Sequence, residues 1–164
     1  MKAYIILKGE HYSSHPVKPY FGKNTFKITA LFDESCRYDL GNVDQLDVNK
    51  LFGVSFGNHE SNSIRIGWAY NLESQKMDIY TYTYENSVRN INKIGSCNIG
   101  EEVSIQLKLN FSNSSYQTTS SISTPADQIF NYEYPSLRVG YYLYPYFGGN
   151  NPAPHDMTIY MDFE

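Results

Sequence analysis

Alternation of apolar and polar residues at every second position is the feature that most limits the fold of this chain. It is clearest in residues 26–32, 63–70 and 103–109. Successive side chains of a β-strand point to opposite faces, so this period is typical of strands that bury one face. No window of a dozen residues carries the apolar stripe of an amphipathic helix. The pattern therefore predicts an all-β chain.

Alternating stretches recur along the chain and predict about nine to eleven short strands with turn residues between them. This pattern is typical of a two-layer antiparallel β-sandwich, and we expect a jelly roll. The sequence shows no internal repeat, linker or low-complexity tail. We therefore expect residues 1–164 to form a single jelly-roll domain.

Two neighbouring stretches predict which side chains face the core. In SIRIGWAY we expect the bulky alternate residues to be buried: Ile64, Ile66, Trp68 and Tyr70. In MDIYTYTY we expect the tyrosines to face inward, opposite the Trp68 face: Tyr80, Tyr82 and Tyr84.

The same assignment predicts a shallow trough on the outer face of the sheet, where small residues flank an arginine. Such a trough can accept an extended ligand. The candidate trough residues are His59, Arg65, Gly67, Thr81 and Thr83. An ordinary solvated sheet face is the structural interpretation of the same residues, and it is the more common one for exposed strand faces.

The closing stretch LYPYFGGNNPAPHDMTIYM joins an aromatic run to a loop and a last alternating strand. Pro152 and Pro154 favour extended backbone before them, so His155 and Asp156 are predicted to begin that strand. The run and its loop are the candidate contact edge for a partner or ligand: Tyr144, Tyr146, Phe147, Asn150 and Asn151. No cofactor is predicted, with calcium at Asp156 beside the two asparagines as the alternative.

Residues 52–71, their hairpin into MDIYTYTYEN, and residues 140–161 resemble concanavalin A-like and laminin-G-like jelly rolls. They also resemble uncharacterised proteins of gut Bacteroidales and their crAss-like phages, of the accessory capsid type. The resemblance covers under half of the chain. It implies a jelly-roll fold and, through the phage proteins, a structural role on a virion.

The sequence lacks the residue patterns that most classes of enzyme need for catalysis. The Glu-x-Asp-x-x-Glu strand of this superfamily's glycoside hydrolases is absent, and so are a nucleophile motif and zinc-ligand spacing. A polysaccharide lyase needs a base, an acid and a cation beside the uronate carboxylate, which His59, tyrosines and Arg65 can supply. The prediction is a non-enzyme, with a lyase as the one enzymatic alternative.

Charge and targeting signals limit the partners. The net charge of −4 and the scattered Lys and Arg residues exclude a nucleic-acid surface. No secretion signal or membrane-spanning run is recognised, so we expect neither secretion nor membrane insertion. Cys36 and Cys97 are then expected to be unbridged thiols.

Two functional hypotheses from different classes remain. The first is an accessory protein made in the host cytoplasm and placed on the capsid of a crAss-like phage, with the major capsid protein as its partner. The alternative is a carbohydrate-binding, lectin-like module with glycans as its partner. A lyase is the third and weaker interpretation.

Overall fold

The computed structural model describes residues 1–15, 17–112, 115–122, 127–131 and 139–164. It confirms the predicted fold class: an all-β sandwich of two antiparallel sheets in a jelly-roll arrangement. In the described ranges there are twelve strands. They are β1 Lys2–Ile6, β2 Lys18–Phe21, β3 Thr25–Phe32, β4 Asn49–Ser55, β5 Ser63–Asn71, β6 Lys76–Glu85, β7 Val88–Cys97, β8 Glu102–Asn110, β9 Ser115–Ser120, β10 Asp127–Asn131, β11 Val139–Leu143 and β12 Met157–Phe163.

Within the described residues, each sheet contains six strands. We call the sheet with the order β1-β12-β3-β8-β9-β10 sheet A, and the sheet with the order β2-β11-β4-β5-β6-β7 sheet B. In both sheets, strands from the two ends of the chain pair with each other: β1 with β12 in sheet A and β2 with β11 in sheet B. Two short 3-10 helices, Glu34–Cys36 and Val43–Leu46, lie between β3 and β4.

The core lies between the two sheets. Phe32 of sheet A packs against Trp68 of sheet B with ring centroids 5.5 Å apart, and Phe26 meets Phe52 at 5.7 Å. Trp68 is fully buried, and all four predicted core residues of β5 belong to the same cluster. The prediction that β5 buries its bulky alternate residues is therefore confirmed.

The predicted orientation of β6 is wrong. Thr81 and Thr83 pair with Ile66 and Ile64 of β5, which face the core, and their own side chains are buried on that inner face. Their hydroxyls bond the buried Tyr116. The alternate set, Tyr80, Tyr82 and Tyr84, consequently lies on the outer face of sheet B. Cross-strand register fixes the orientation because directly paired residues share a face.

The closing stretch alternates as predicted, but β12 begins at Met157, so the predicted start of the strand at His155 and Asp156 is wrong. Asp156 instead accepts a hydrogen bond from the backbone N–H of Lys8. Met157, Ile159 and Met161 of β12 are buried and alternate with more exposed residues. Phe147 departs from the prediction: it is 1% exposed and packs against Trp68 at 6.0 Å, so it is a core residue and not a contact-edge residue.

Cys36 and Cys97 are free and buried. Burial raises the pKa of Cys97 to about 11 and raises that of Cys36 further. In the described ranges, no helix has the length and apolar character needed to cross a membrane.

Candidate functional site

A cavity of about 650 Å³ opens on the outer face of sheet B. Its floor comes from β4, β5 and β6, and its walls come from the segment before β2 and the segment after β11. Small-molecule sites in proteins commonly have volumes of about 300–1,000 Å³. The cavity therefore has room for a small organic ligand.

Two glycines of the sheet, Gly53 and Gly67, allow neighbouring groups to pack closely against this floor. A Cβ at Gly53 would stand 2.2 Å from the carbonyl oxygen of Ile64 and 2.9 Å from Cγ of Arg65. A Cβ at Gly67 would stand 2.4 Å from Cγ1 of Val48. Gly53 thus leaves space for the Arg65 side chain, and Gly67 leaves space for the segment that covers β5.

Lys50 reaches the cavity through a β-bulge. The register of β4 with β5 shifts between Lys50 and Phe52, so Lys50 pairs with Gly67 on the outer face. Its ammonium nitrogen lies 4.9 Å from the ring centroid of Tyr82 and 5.4 Å from that of Tyr146. The same nitrogen donates a hydrogen bond of 3.0 Å to the carbonyl oxygen of Gly148. Lys50 is only 8% exposed.

Arg65 lies beside Lys50 and is 7% exposed. Its guanidinium carbon is 5.6 Å from the centroid of the Tyr82 ring, so both cations use one aromatic ring. Nη2 donates to the carbonyl oxygen of His59 at 2.9 Å. Nε is buried and has no hydrogen-bond partner among the described residues. A buried donor of this kind is uncommon in native structures.

The surroundings of Lys50 and Arg65 in the cavity disfavour the charged forms of both side chains. Burial, followed by the charges of Arg65 and Arg89, lowers the pKa of Lys50 to about 8, although Asp47 acts in the opposite direction. Burial also lowers the pKa of Arg65. Among the ion pairs of the described residues, none includes Lys50 or Arg65. These cations are desolvated without a carboxylate in contact, which is a costly arrangement.

A second buried charge on the same sheet face is fully compensated. The carboxylate of Asp78 accepts hydrogen bonds from Ser96 at 2.6 Å and Asn71 at 3.1 Å, and it pairs with Lys93 at 2.7 Å. Burial alone would raise its pKa, but Lys93, Ser96 and Asn71 together lower it below the usual value. Asp78 shows how this protein normally compensates a buried charge.

The loop after β11 is fixed by the start of β4. The backbone N–H groups of Lys50 and Tyr146 each donate to the other residue's carbonyl oxygen at 2.9 Å. The side-chain oxygen of Asn49 accepts from the backbone N–H of Gly148, which has a φ of 77°. These bonds hold Tyr146 and the loop against the cavity.

The structure brings several predicted site residues together. His59, Arg65, Tyr144, Tyr146 and Asn150 all line the cavity. The imidazole of His59 lies 3.1 Å from the Tyr141 hydroxyl, and burial with the nearby Arg65 and Lys50 charges lowers its pKa. This shift favours the neutral form of the His59 imidazole.

Other predicted residues lie elsewhere. Gly67 is on the outer face but beneath Val48, and Thr81 and Thr83 face the core. Asn151 donates to the carboxylate of Asp44 at 2.7 Å instead of facing the cavity.

Sequence reasoning missed Lys50, Tyr82, Arg89 and Tyr12, all of which line the cavity. Lys50 ends the polar stretch of residues 41–50, and the bulge after it interrupts the alternation that identifies a strand, so the sequence pattern does not point to it. Tyr82 was placed on the wrong face. The available signal was a lysine immediately before the apolar run LFGVSF.

The residues of the calcium alternative do not gather. Asp156 accepts a hydrogen bond from the backbone N–H of Lys8 at 2.8 Å, while Asn150 lies at the cavity. Across the described parts of the chain, no three His, Cys, Asp or Glu residues are grouped as metal ligands. Calcium binding stays the untested alternative to the prediction of no cofactor, without a donor set among the described residues to support it.

No family model matches this chain, and no curated protein matches it. Among solved structures, it is similar to an SAP-like pentraxin from Limulus polyphemus, with 8% identity, a TM-score of 0.48, and coverage of 99% of this chain and 74% of the other. It is similar to a homodimeric agglutinin from chicken liver, with 6% identity, a TM-score of 0.46, and coverage of 99% and 95%. A third similar structure is the CBM40 of the Ruminococcus gnavus IT-sialidase bound to α2,3 sialyllactose, with 11% identity, a TM-score of 0.45, and coverage of 97% and 89%. These values are too low for a ligand or a partner to be transferred.

Proposed function

We propose that this chain is a non-catalytic carbohydrate-binding module, and that the cavity on sheet B is its glycan site. The observation that carries the proposal is the combination of tyrosine rings and hydrogen-bonding groups around one open cavity of about 650 Å³. A sugar presents apolar C–H faces and many hydroxyl groups. Tyrosine offers an apolar ring and a polar hydroxyl to such a ligand.

The walls supply both kinds of contact. Tyr12 is 72% exposed and packs edge-on against Tyr146 with ring centroids 5.0 Å apart. The bonds between Tyr146 and Lys50 fix this aromatic corner before a ligand arrives. Asn150 and Asp47 add an amide and a carboxylate to the same cavity. A site formed in advance loses less conformational entropy on binding.

A binding screen with neutral and acidic oligosaccharides tests the proposal, followed by calorimetry on the best ligand. Tyr146→Ala removes a cavity wall and is expected to weaken binding about tenfold or more. Tyr160→Ala is the matched control, because Tyr160 lies on the outer face of sheet A. The absence of binding to any saccharide, or equal losses in the two variants, would overturn the proposal.

Product analysis on the same ligands tests the lyase alternative. His59 and Tyr141 are in hydrogen-bond contact, and Arg65 lies beside His59. These groups match the base, acid and carboxylate partner of an elimination. Formation of an unsaturated uronate product that is lost in His59→Ala would replace the binding module with a lyase.

The role on a phage capsid comes from the sequence resemblance and stays a prediction. Glycan binding is compatible with it, since a binding module can serve on a virion or apart from one. Imaging of an assembly that contains this chain tests that role.

A further inference from the structure

The charge of the cavity indicates which class of glycan it accepts. Three cationic side chains, Lys50, Arg65 and Arg89, line it together with two carboxylates, Asp47 and Glu60. Neither carboxylate forms an ion pair with a lining cation within the described residues. The whole chain carries a net charge of −4, so this local excess of positive charge runs against the overall balance.

We propose that the bound saccharide carries a carboxylate or sulfate group, and that Lys50 and Arg65 bind this group together. Both cations lie against the Tyr82 ring, at 4.9 and 5.6 Å from its centroid. Both also line the same cavity, so we expect a single anion bound there to contact both. This inference rests on the proposed glycan site and names the chemistry of its ligand.

Unused hydrogen-bonding capacity supports the assignment. Arg65 is 7% exposed, its Nη2 bonds the main chain of His59, and its Nε has no partner in the described part of the chain. The ammonium of Lys50 has three donors, of which one reaches Gly148. Guanidinium and ammonium groups donate strongly to carboxylate and sulfate oxygens.

The contrast with Asp78 strengthens the argument. That carboxylate is buried on the same sheet face and has four polar partners: Lys93, Ser96, Asn71 and Tyr80. The tyrosine rings next to Lys50 and Arg65 give partial compensation through cation–π attraction, but they carry no net negative charge. An external anion supplies the missing charge.

Paired ligands test the proposal by calorimetry at low salt. Oligogalacturonate is compared with its methyl ester, and dextran sulfate is compared with dextran. These pairs separate a carboxylate source from a sulfate source. We expect the charged member of at least one pair to bind about tenfold tighter than its neutral partner. Equal binding of charged and neutral members would overturn the inference.

Substitutions test whether the preference for the charged ligand arises at the cavity. Lys50→Met is expected to weaken binding of the charged ligand by about 10- to 100-fold, the factor for losing a hydrogen bond to a charged group. Lys108→Met is the matched control, because Lys108 is an exposed lysine on β8 in sheet A and the change in charge is identical. Equal losses in the two variants indicate unspecific attraction to a polyanion and overturn the inference.

Arg65→Lys provides a second variant that keeps the charge and removes the guanidinium geometry. We expect a loss of about tenfold for the charged ligand with a folded protein, verified by circular dichroism. If this variant does not fold, Lys50→Met decides the question. Binding of neutral glycans alone overturns this inference and leaves the proposed function intact. Binding of no glycan overturns both.

Discussion

The outer faces of the two sheets differ in burial, and the difference identifies the side of the molecule that carries the site. In sheet A, β3 and β8 alternate between buried and more exposed residues. In sheet B, every residue of β4 is buried, and so is every residue of β5 except the last. Sheet A thus has one packed face, whereas sheet B is covered on both sides where the cavity lies.

Covering the outer face of sheet B buries charges as well as rings. Asp78 is 2% exposed and has polar partners, while Lys50 and Arg65 are 8% and 7% exposed and have no carboxylate in contact. Retention of buried cations that no carboxylate contacts opposes stability, because a buried charge loses its hydration. Residues that oppose stability are commonly kept for binding.

The largest expected effect concerns the inner face, which both sheets share. Trp68→Ala should lower the free energy of unfolding by about 3–5 kcal/mol, because it removes a fully buried indole that contacts Phe32 and Phe147. Urea denaturation measures the loss. Tyr160→Ala, on the outer face of sheet A, serves as the control. A loss below about 1 kcal/mol for Trp68→Ala would contradict the described core.

Sequence periodicity was sufficient to predict this core, but not the site. Period-two alternation shows which residues share a face, and the bulky set of SIRIGWAY was unambiguous because its alternate positions hold arginine, glycine and alanine. In β6 the tyrosines alternate with smaller residues, so the sequence pattern favours the tyrosines for the core. In the structure, however, both alternating sets of β6 are buried or half-buried. The inner face is decided instead by pairing of Thr81 with Ile66, a contact between different strands.

The cavity itself depends on events that local patterns do not encode. Lys50 reaches the outer face through a bulge, and Tyr146 is positioned by backbone bonds to Lys50 across 96 residues of sequence (146 − 50 = 96). His59 and Arg65 were found because a histidine near a glycine turn and an arginine among small residues are visible locally. Their cationic neighbour became apparent only in the fold.

The second prediction concerns the removal of a buried charge on sheet B that has polar partners. Asp78→Asn should lower the free energy of unfolding by about 1–3 kcal/mol at pH 7, because the carboxylate accepts from Lys93, Ser96 and Asn71. These bonds lower the pKa of Asp78 in the folded state below its ordinary value of 3.8. The stabilisation is therefore present above that value and is lost as the pH falls further.

Urea denaturation at several pH values checks the Asp78 prediction. The difference between wild type and Asp78→Asn should be constant near neutrality and shrink below about pH 4. A difference that does not change with pH would show that the ionised carboxylate is not the stabilising form.

The third prediction removes a buried charge that no carboxylate contacts from the same face, and its expected effect on stability has the opposite sign. Lys50→Met should raise the free energy of unfolding by about 1–2 kcal/mol at pH 7. Burial lowers the pKa of Lys50 from 10.5 to about 8 in the folded state. The unfolded chain then binds more protons between these values, so the penalty is complete below about pH 8 and disappears as the pH approaches 10.5.

The gain from Lys50→Met should accordingly diminish as the pH rises from about 8 to 10. The measurement is the difference between wild type and variant at each pH, because the raised pKa values of Cys97 and several tyrosines affect both proteins equally. Lys108→Met should show no such pH dependence. A loss of stability at pH 7 in Lys50→Met would indicate that Lys50 is a structural cation.

The smallest expected effect is a difference in stability between two threonine-to-alanine substitutions, one on each sheet. Thr29→Ala on the outer face of sheet A removes a solvent-exposed contact of 3.2 Å with Ser104, and should change the free energy of unfolding by about 0.5 kcal/mol or less. Thr81→Ala on the inner face of sheet B removes a hydroxyl that is 1% exposed and bonds Tyr116, and should cost about 1–2 kcal/mol. Chemical denaturation of both variants under one set of conditions measures the difference. Equal costs would mean that Thr81 faces solvent, as the sequence pattern alone predicted. The tyrosines of β6 would then face the core and would not line the cavity.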